Sequence, residues 1–191
     1  MMRVLGPLIV ALMVGCASSP PLQYYNLQPE SLPVAVSPGA KLTVYIGPVT
    51  VPEALDRPQL VYRDGDHFSV LDGQRWIEPL KIAVGRVLAT TLTADLGGAI
   101  VGAYPGTALT NASYRVLVEI QQLEAAPTGA TTFAAVWSIR TETGDPLTGR
   151  TFGTAQGGAD YHAMAAAYTQ AVMGIGHDIA AALRAHAGNQ K

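Results

Sequence analysis

Residues 114–154 constrain the fold more than any other stretch, because apolar side chains recur there at every second position. The pattern covers two long runs, first at Tyr114, Val116, Val118 and Ile120, then at Phe133, Ala135, Trp137 and Ile139. Turn residues at 127–129 and 143–146 separate these runs and lead into a weaker third run at 147–154. A period of two is typical of strands with one buried face. The stretch therefore predicts an antiparallel meander.

Shorter runs predict further strands at 22–27, 41–51, 59–63, 67–71 and 99–104, with a hairpin turn at Asp64-Gly65-Asp66. Residues 28–40 contain three prolines and predict a loop. Apolar residues at three- and four-residue steps predict a helix from Pro79 to Leu96 and a second helix after Asp160 as N-cap. In the second helix, Gly174 and Gly176 are tolerable if another backbone approaches closely. The order predicts an α/β chain of the α+β type: one mixed, largely antiparallel sheet with two main helices packed on it, in a single domain.

The N-terminus has the order of a secretory signal: a basic start, an apolar run at 4–14, and then small residues. The run is too short to span a bilayer, which takes about 20 residues. The only cysteine, Cys16, follows Gly15 directly, as in a bacterial lipobox, where the thiol is acylated. The alternative is an incidental cysteine in an ordinary signal peptide that is cleaved elsewhere. We expect lipidation of Cys16.

These signals divide the chain into a signal peptide (1–15), a lipidated tether (16–21), a folded domain (22–187) and a C-terminal tail (188–191). Ala17 stands where enterobacterial lipoproteins retained at the inner membrane carry Asp, which favours the outer membrane. The short tether predicts a domain that is held close to the membrane, facing the periplasm.

Composition and motifs argue against several classes of function. The formal net charge is −2 and no basic stripe exists, so nucleic-acid binding has no electrostatic support. His67, His162, His177 and His186 are scattered, and we expect no metal site. The glycine pairs at 97–98 and 157–158 match no phosphate-binding pattern, and no G-x-S-x-G elbow is present. We therefore expect no cofactor and no enzymatic activity.

Residues 46–61 read IGPVTVPEALDRPQLV, and this block resembles the ABC-type transport auxiliary lipoproteins, the PqiC-like lipoproteins of Gram-negative bacteria. Tyr24-Tyr25-x-Leu27, Arg75-Trp76-x-Glu78-Pro79-Leu80 and the alanine-rich helix after Asp160-Tyr161 agree with the resemblance. It implies a non-catalytic, outer-membrane-anchored subunit of a lipid transport system that maintains envelope integrity. It also implies a homo-oligomer that docks an MCE-domain protein working with an inner-membrane ABC transporter or permease, and an α/β domain of the three-layer kind.

The turn Leu55-Asp56-Arg57-Pro58 is the candidate partner-binding surface, because loops on rigid sheets commonly carry binding residues. The alternative is structural: Asp56 and Arg57 hold the loop by a local ion pair. Trp76 is a second candidate anchor for a partner, with a core or staple position as its alternative.

Two other functions remain as rivals. One is an outer-membrane lipoprotein that regulates cell-wall synthesis or envelope assembly, although such proteins generally need a longer tether. The other is a periplasmic hydrolase, which the missing nucleophile disfavours.

Overall fold

The computed structural model describes residues 21–29, 42–109, 111–141 and 144–188. Cys16, the signal peptide and most of the predicted loop at 28–40 lie outside these residues. The described chain forms eight strands and two helices: β1 (Gln23–Tyr25), β2 (Thr43–Ile46), β3 (Gln59–Asp64), β4 (His67–Trp76), α1 (Leu80–Asp95), β5 (Ile100–Ala103), β6 (Tyr114–Ala125), β7 (Thr131–Thr141), β8 (Leu147–Ala155) and α2 (Tyr161–Gly188). The predicted single α+β sheet with two helices is confirmed.

Strand β6 is the centre of the sheet. On one side it pairs antiparallel with β7 along its whole length, and β7 pairs antiparallel with β8. On the other side its beginning pairs parallel with β2, which pairs parallel with β5. The end of β6 meets β3 at Tyr62, and β3 forms the predicted hairpin with β4. Strand β1 completes this branch by pairing parallel with β4. The sheet is thus mixed and largely antiparallel.

Helix α1 lies within one residue of its predicted bounds at each end, and α2 begins directly after the predicted cap Asp160. Pro79 is the N-cap of α1, and Gly97 follows its end with a φ of 57°. Asp160 caps α2, since its Oδ1 accepts a 2.8 Å hydrogen bond from the backbone N–H of Ala163. Such a bond satisfies one of the amides that a helix N-terminus leaves unpaired.

Both helices pack on the same face of the sheet and against each other. The sheet residues that alternate toward them are buried, among them Val44, Val116, Leu123 and Ile139. On the opposite face Arg115, Arg140 and Phe152 are exposed. The expected three-layer arrangement is therefore wrong for the described residues, which form two layers. The apolar stripes of both helices meet the buried face of the sheet.

The sequence predicts a close backbone approach at the glycines inside α2, and the structure shows a different contact. A Cβ at Gly176 would lie 2.8 Å from Thr91 Cγ2 of α1, so the contact there is a side chain and not a backbone. Gly174 and Gly153 lie against the ring of Phe133. A Cβ added at Gly174 would lie 3.3 Å from Phe133 Cζ, and one added at Gly153 would lie 3.1 Å from it. These glycines let the helices approach each other and the sheet.

Two aromatic side chains, Tyr168 and Trp76, contact each other in the core. Tyr168 of α2 is buried, its ring centroid lies 5.4 Å from that of Trp76, and its hydroxyl donates a 3.0 Å hydrogen bond to the carbonyl of Val61. Burial raises the pKa of this hydroxyl above its usual value of 10.0. The neutral phenol therefore joins α2 to the sheet.

We expect the substitution Gly176→Ala to destabilise the protein relative to Gly85→Ala. Both positions lie inside helices, so the gain in helix propensity is common to both variants. A Cβ at Gly85 would make ordinary contact, 3.7 Å from Val49 Cγ2, whereas Gly176→Ala crowds Thr91. The free energies of unfolding should differ by about 1–3 kcal/mol in denaturant titrations. Equal values would show that the helices can separate without cost.

Candidate functional site

The loop between β2 and β3 is fixed at several points. Residues Glu53–Leu55 form a 3₁₀ turn, in which the N–H groups of Leu55 and Asp56 donate to the carbonyl of Pro52. Leu55 is buried in the core, and the carbonyl of Pro58 accepts a 2.7 Å hydrogen bond from the backbone N–H of Trp76. Asp56 and Arg57 between these anchors are exposed, as is the side chain of Pro58. The loop thus presents them on a rigid support.

The first residues of the 46–61 block run alongside β6. The backbone N–H of Gly47 donates to the carbonyl of Val116, and Thr50 forms an isolated parallel bridge with Glu119. A Cβ at Gly47 would lie 2.7 Å from Leu117 Cδ2, the end of a flexible side chain that would have to move. The segment therefore lies close against the sheet and forms one wall of a groove next to α1.

Asp56 joins this loop to the first turn of α1. Its Oδ2 accepts a 2.9 Å hydrogen bond from Lys81 Nζ, with both side chains a little under half exposed. The structure thus pairs Asp56 with a residue of α1 and not with Arg57 as the local ion-pair alternative had it. An exposed pair of this kind stabilises a fold by at most about 1 kcal/mol.

The ion pair lies between two adjoining depressions, which we call together the Asp56 cleft. The first has a volume of about 310 Å³ and is lined by Gly47, Pro48, Val49, Thr50, Val51, Asp56, Lys81, Ile82, Gly85 and Tyr104. The second has a volume of about 350 Å³ and is lined by Asp56, Arg57, Pro58, Trp76, Ile77, Glu78, Pro79 and Lys81. Ser, Cys and His do not occur among these lining residues. The surface combines apolar residues with the central ion pair and two further charged residues, Arg57 and Glu78, a composition suited to protein contact.

The structure separates the sequence candidates into two groups. Leu55 and Trp76 are buried, at 4% and 6% exposure; Trp76 still lines the second depression, whereas Leu55 lines neither. Asp56, Arg57 and Pro58 line the cleft and reach solvent. Their role in partner binding stays a prediction.

Ile77 was not among the sequence candidates, although it is 59% exposed in the cleft. Its backbone N–H donates to the carbonyl of Tyr25, which fixes the residue beside β1. Ile77 follows the last residue of β4, where strand alternation no longer applies, so no local pattern marked it as exposed. Tyr104, 45% exposed, lines the other end of the cleft.

A hydrogen-bond network around Arg86 holds Glu78, which lines the cleft. Its guanidinium donates to Asn26 Oδ1 at 2.6 Å and to the carbonyl of Leu27 at 3.1 Å, and it forms an ion pair with Glu78. The residues around Trp76 and Glu78 are thus tied to both α1 and the segment after β1. Here the charged groups hold the fold.

The histidines make separate contacts. His177 Nδ1 lies 2.6 Å from Asp95 Oδ2, while the neighbouring Asp178 accepts a hydrogen bond from Thr151. The rings of His162 and His186 lie near Tyr25 and Tyr114. Within the described ranges, no three His, Cys, Asp or Glu residues come together as a metal site. No helix in the same ranges is long and apolar enough to span a membrane.

The comparisons with known proteins agree on the fold. A family model described as the ABC-type transport auxiliary lipoprotein component matches residues 25–180. A crystal structure of an uncharacterized protein is similar over 86% of this chain and 99% of its own, with a TM-score of 0.70 and 18% identity. A Xanthomonas campestris protein of the DUF330 family is similar over 88% and 99%, with a TM-score of 0.62 and 15% identity. No curated protein matches the sequence.

We expect Asp56→Ala to lower the free energy of unfolding by less than about 1 kcal/mol, because its ion pair with Lys81 is exposed. Arg86→Ala is the comparison variant and should cost about 1–3 kcal/mol, since it removes hydrogen bonds from a charged donor. Denaturant titrations of both variants show whether Asp56 has a structural role in this loop. Equal losses would favour the structural role of Asp56.

Proposed function

The chain belongs to the ABC-type transport auxiliary lipoprotein family, and on that basis we propose that it is a non-catalytic subunit of an intermembrane lipid transport system. In this proposal, acylated Cys16 anchors the protein in the outer membrane, facing the periplasm. The folded domain, as a homo-oligomer, docks the periplasmic end of an MCE-domain protein that works with an inner-membrane ABC transporter or permease. Transport energy comes from that ATPase, so this subunit supplies position and a binding surface.

The observation that carries the proposal is the Asp56 cleft. The family's residue block at 46–61 forms its wall and its loop, and the block's exposed members face solvent there. A large exposed apolar side chain beside a rigid loop is the usual anchor of a protein interface. Ile77 at 59% exposure and Tyr104 at 45% meet this description.

The anchor and the cleft have separate tasks. Each buried methylene of an acyl chain contributes about 0.8 kcal/mol, so two or more chains hold a protein stably at a membrane. Gln23, the first residue of β1, lies seven positions after Cys16. This distance keeps the domain near the membrane, where the partner must reach it.

We expect Ile77→Asp to weaken binding of the MCE-domain protein by on the order of tenfold or more, because a charge would replace an apolar anchor at the interface centre. The measurement is recovery of that protein with the tagged lipoprotein from detergent-solubilised envelopes. Ile100→Asp is the control: Ile100, the first residue of β5, is 39% exposed on the face of the sheet away from the helices and outside the cleft.

Loss of recovery with Ile77→Asp but not with Ile100→Asp supports docking at the cleft. Equal recovery with both variants would place docking elsewhere. Failure of the unsubstituted protein to recover any MCE-domain protein would overturn the proposed partnership itself.

A further inference from the structure

The face of the sheet opposite the two helices, which we call the open face, carries many of the exposed apolar side chains. Tyr24, Phe68, Val70 and Phe152 alternate away from the helices, at 55%, 38%, 39% and 73% exposure. They are half of the large apolar residues that are exposed in the described ranges. Leu22, which directly precedes β1, is 44% exposed as well. These apolar groups are spread across one face of the sheet, from β1 at one edge to β8 at the other.

The open face is also basic, although the chain as a whole is not. Register and alternation place five arginines there: Arg63, Arg75, Arg115, Arg140 and Arg150. The acidic residues that alternate to the same side are Asp72, Glu119 and Glu124. The face thus has a net charge of +2, whereas the whole chain has −2. This charge separation favours an anionic partner.

Three of these arginines lie over aromatic rings of the same face. Arg63 lies 5.1 Å from the ring centroid of Phe68, and Arg115 lies 5.0 Å from that of Tyr45. Arg150 lies 5.9 Å from the ring centroid of Phe152. Paired guanidinium and aromatic groups combine a charged end with an apolar body, a combination enriched where protein meets the headgroup region of a membrane.

Arg115 and Arg140 stand directly opposite each other across the β6–β7 pair. Like charges at opposing positions of an antiparallel pair destabilise a sheet. An anionic surface placed over both guanidinium groups would relieve this repulsion. The arrangement is therefore better suited to a bound state than to water alone.

The tether determines which anionic surface is near. Gln23 lies seven positions after Cys16, and an extended chain spans at most about 3.4 Å per position, or about 24 Å. An acyl anchor on Cys16 would therefore keep β1, with Tyr24 on the open face, within that distance of a bilayer. The tether therefore brings the β1 edge of the open face within reach of the membrane.

We propose that the open face binds the bilayer directly, lying on a membrane surface that contains anionic phospholipid. The proposal rests on the lipid anchor included in the proposed function. It gives the domain an orientation: the sheet lies against the membrane, and α1, which lines the Asp56 cleft, faces the periplasm. Basic residues near an anionic membrane add attraction that high salt weakens.

The test uses the acylated mature protein in vesicles of phosphatidylethanolamine and phosphatidylglycerol. Cys16 is blocked by its thioether, so a single introduced thiol can carry an NBD label. One variant is Phe152→Cys on the open face, and the control is Ala181→Cys, exposed on α2. We expect doxyl-labelled lipid to quench the label at position 152 at least threefold more than at position 181. Iodide in the water should show the reverse order.

A second arm tests the role of charge. In the Phe152→Cys background, Arg115→Glu should reduce quenching by doxyl lipid at least twofold when phosphatidylglycerol is present. Arg184→Glu is the matched control, since it makes the same charge change on exposed Arg184 of α2. Circular dichroism of both variants verifies that the fold is retained.

Equal quenching by doxyl lipid at positions 152 and 181 would overturn the proposal. A label at position 152 that is shielded from both doxyl lipid and iodide would also overturn it, because a second copy of the chain would then cover the face. The vesicles contain no MCE-domain protein, so either result leaves docking at the cleft to be decided by the Ile77→Asp recovery experiment.

Discussion

The packing of both helices on one face of a single sheet is the constraint on which the rest of the structure depends. It is made possible by small residues at the contacts: Gly176 against Thr91 joins the helices, and Gly174 with Gly153 accommodates the ring of Phe133. Protein interiors are close-packed, so even one added methyl group disturbs the packing at such positions. Because α1 and α2 fill one side, the other side of the sheet is left to a different role.

Both candidate surfaces follow from that arrangement. The first turn of α1 meets the loop after β2 at the Asp56–Lys81 ion pair, and the Asp56 cleft forms around it. The open face carries arginines and aromatic side chains, which the helices do not cover. A lipoprotein that joins a membrane to a transport partner needs two such surfaces, and we propose that they lie on different sides of the domain.

Local patterns in the sequence predicted local structure well. Alternation at 114–139 predicted β6 and β7, Asp64-Gly65-Asp66 predicted the hairpin, and Asp160 predicted the start of α2. The parallel pairing of β2 with β5 and β6 had no local signal, since such pairing depends on contacts between distant segments. The expectation of three layers came from the family resemblance and not from a local pattern, and the described residues form two layers. The turn at 55–58 was identified correctly as a loop, but the burial of Leu55 and the exposure of Ile77 depend on tertiary packing.

The central claim is that one side of the domain faces the partner and the other faces the membrane. Photocrosslinking in living cells tests it most directly, with a benzophenone amino acid placed at position 77 in one strain and at position 152 in another. The account predicts that the probe at position 77 captures the MCE-domain protein and that the probe at position 152 captures phospholipid. Capture of the MCE-domain protein from position 152, with none from position 77, would contradict it.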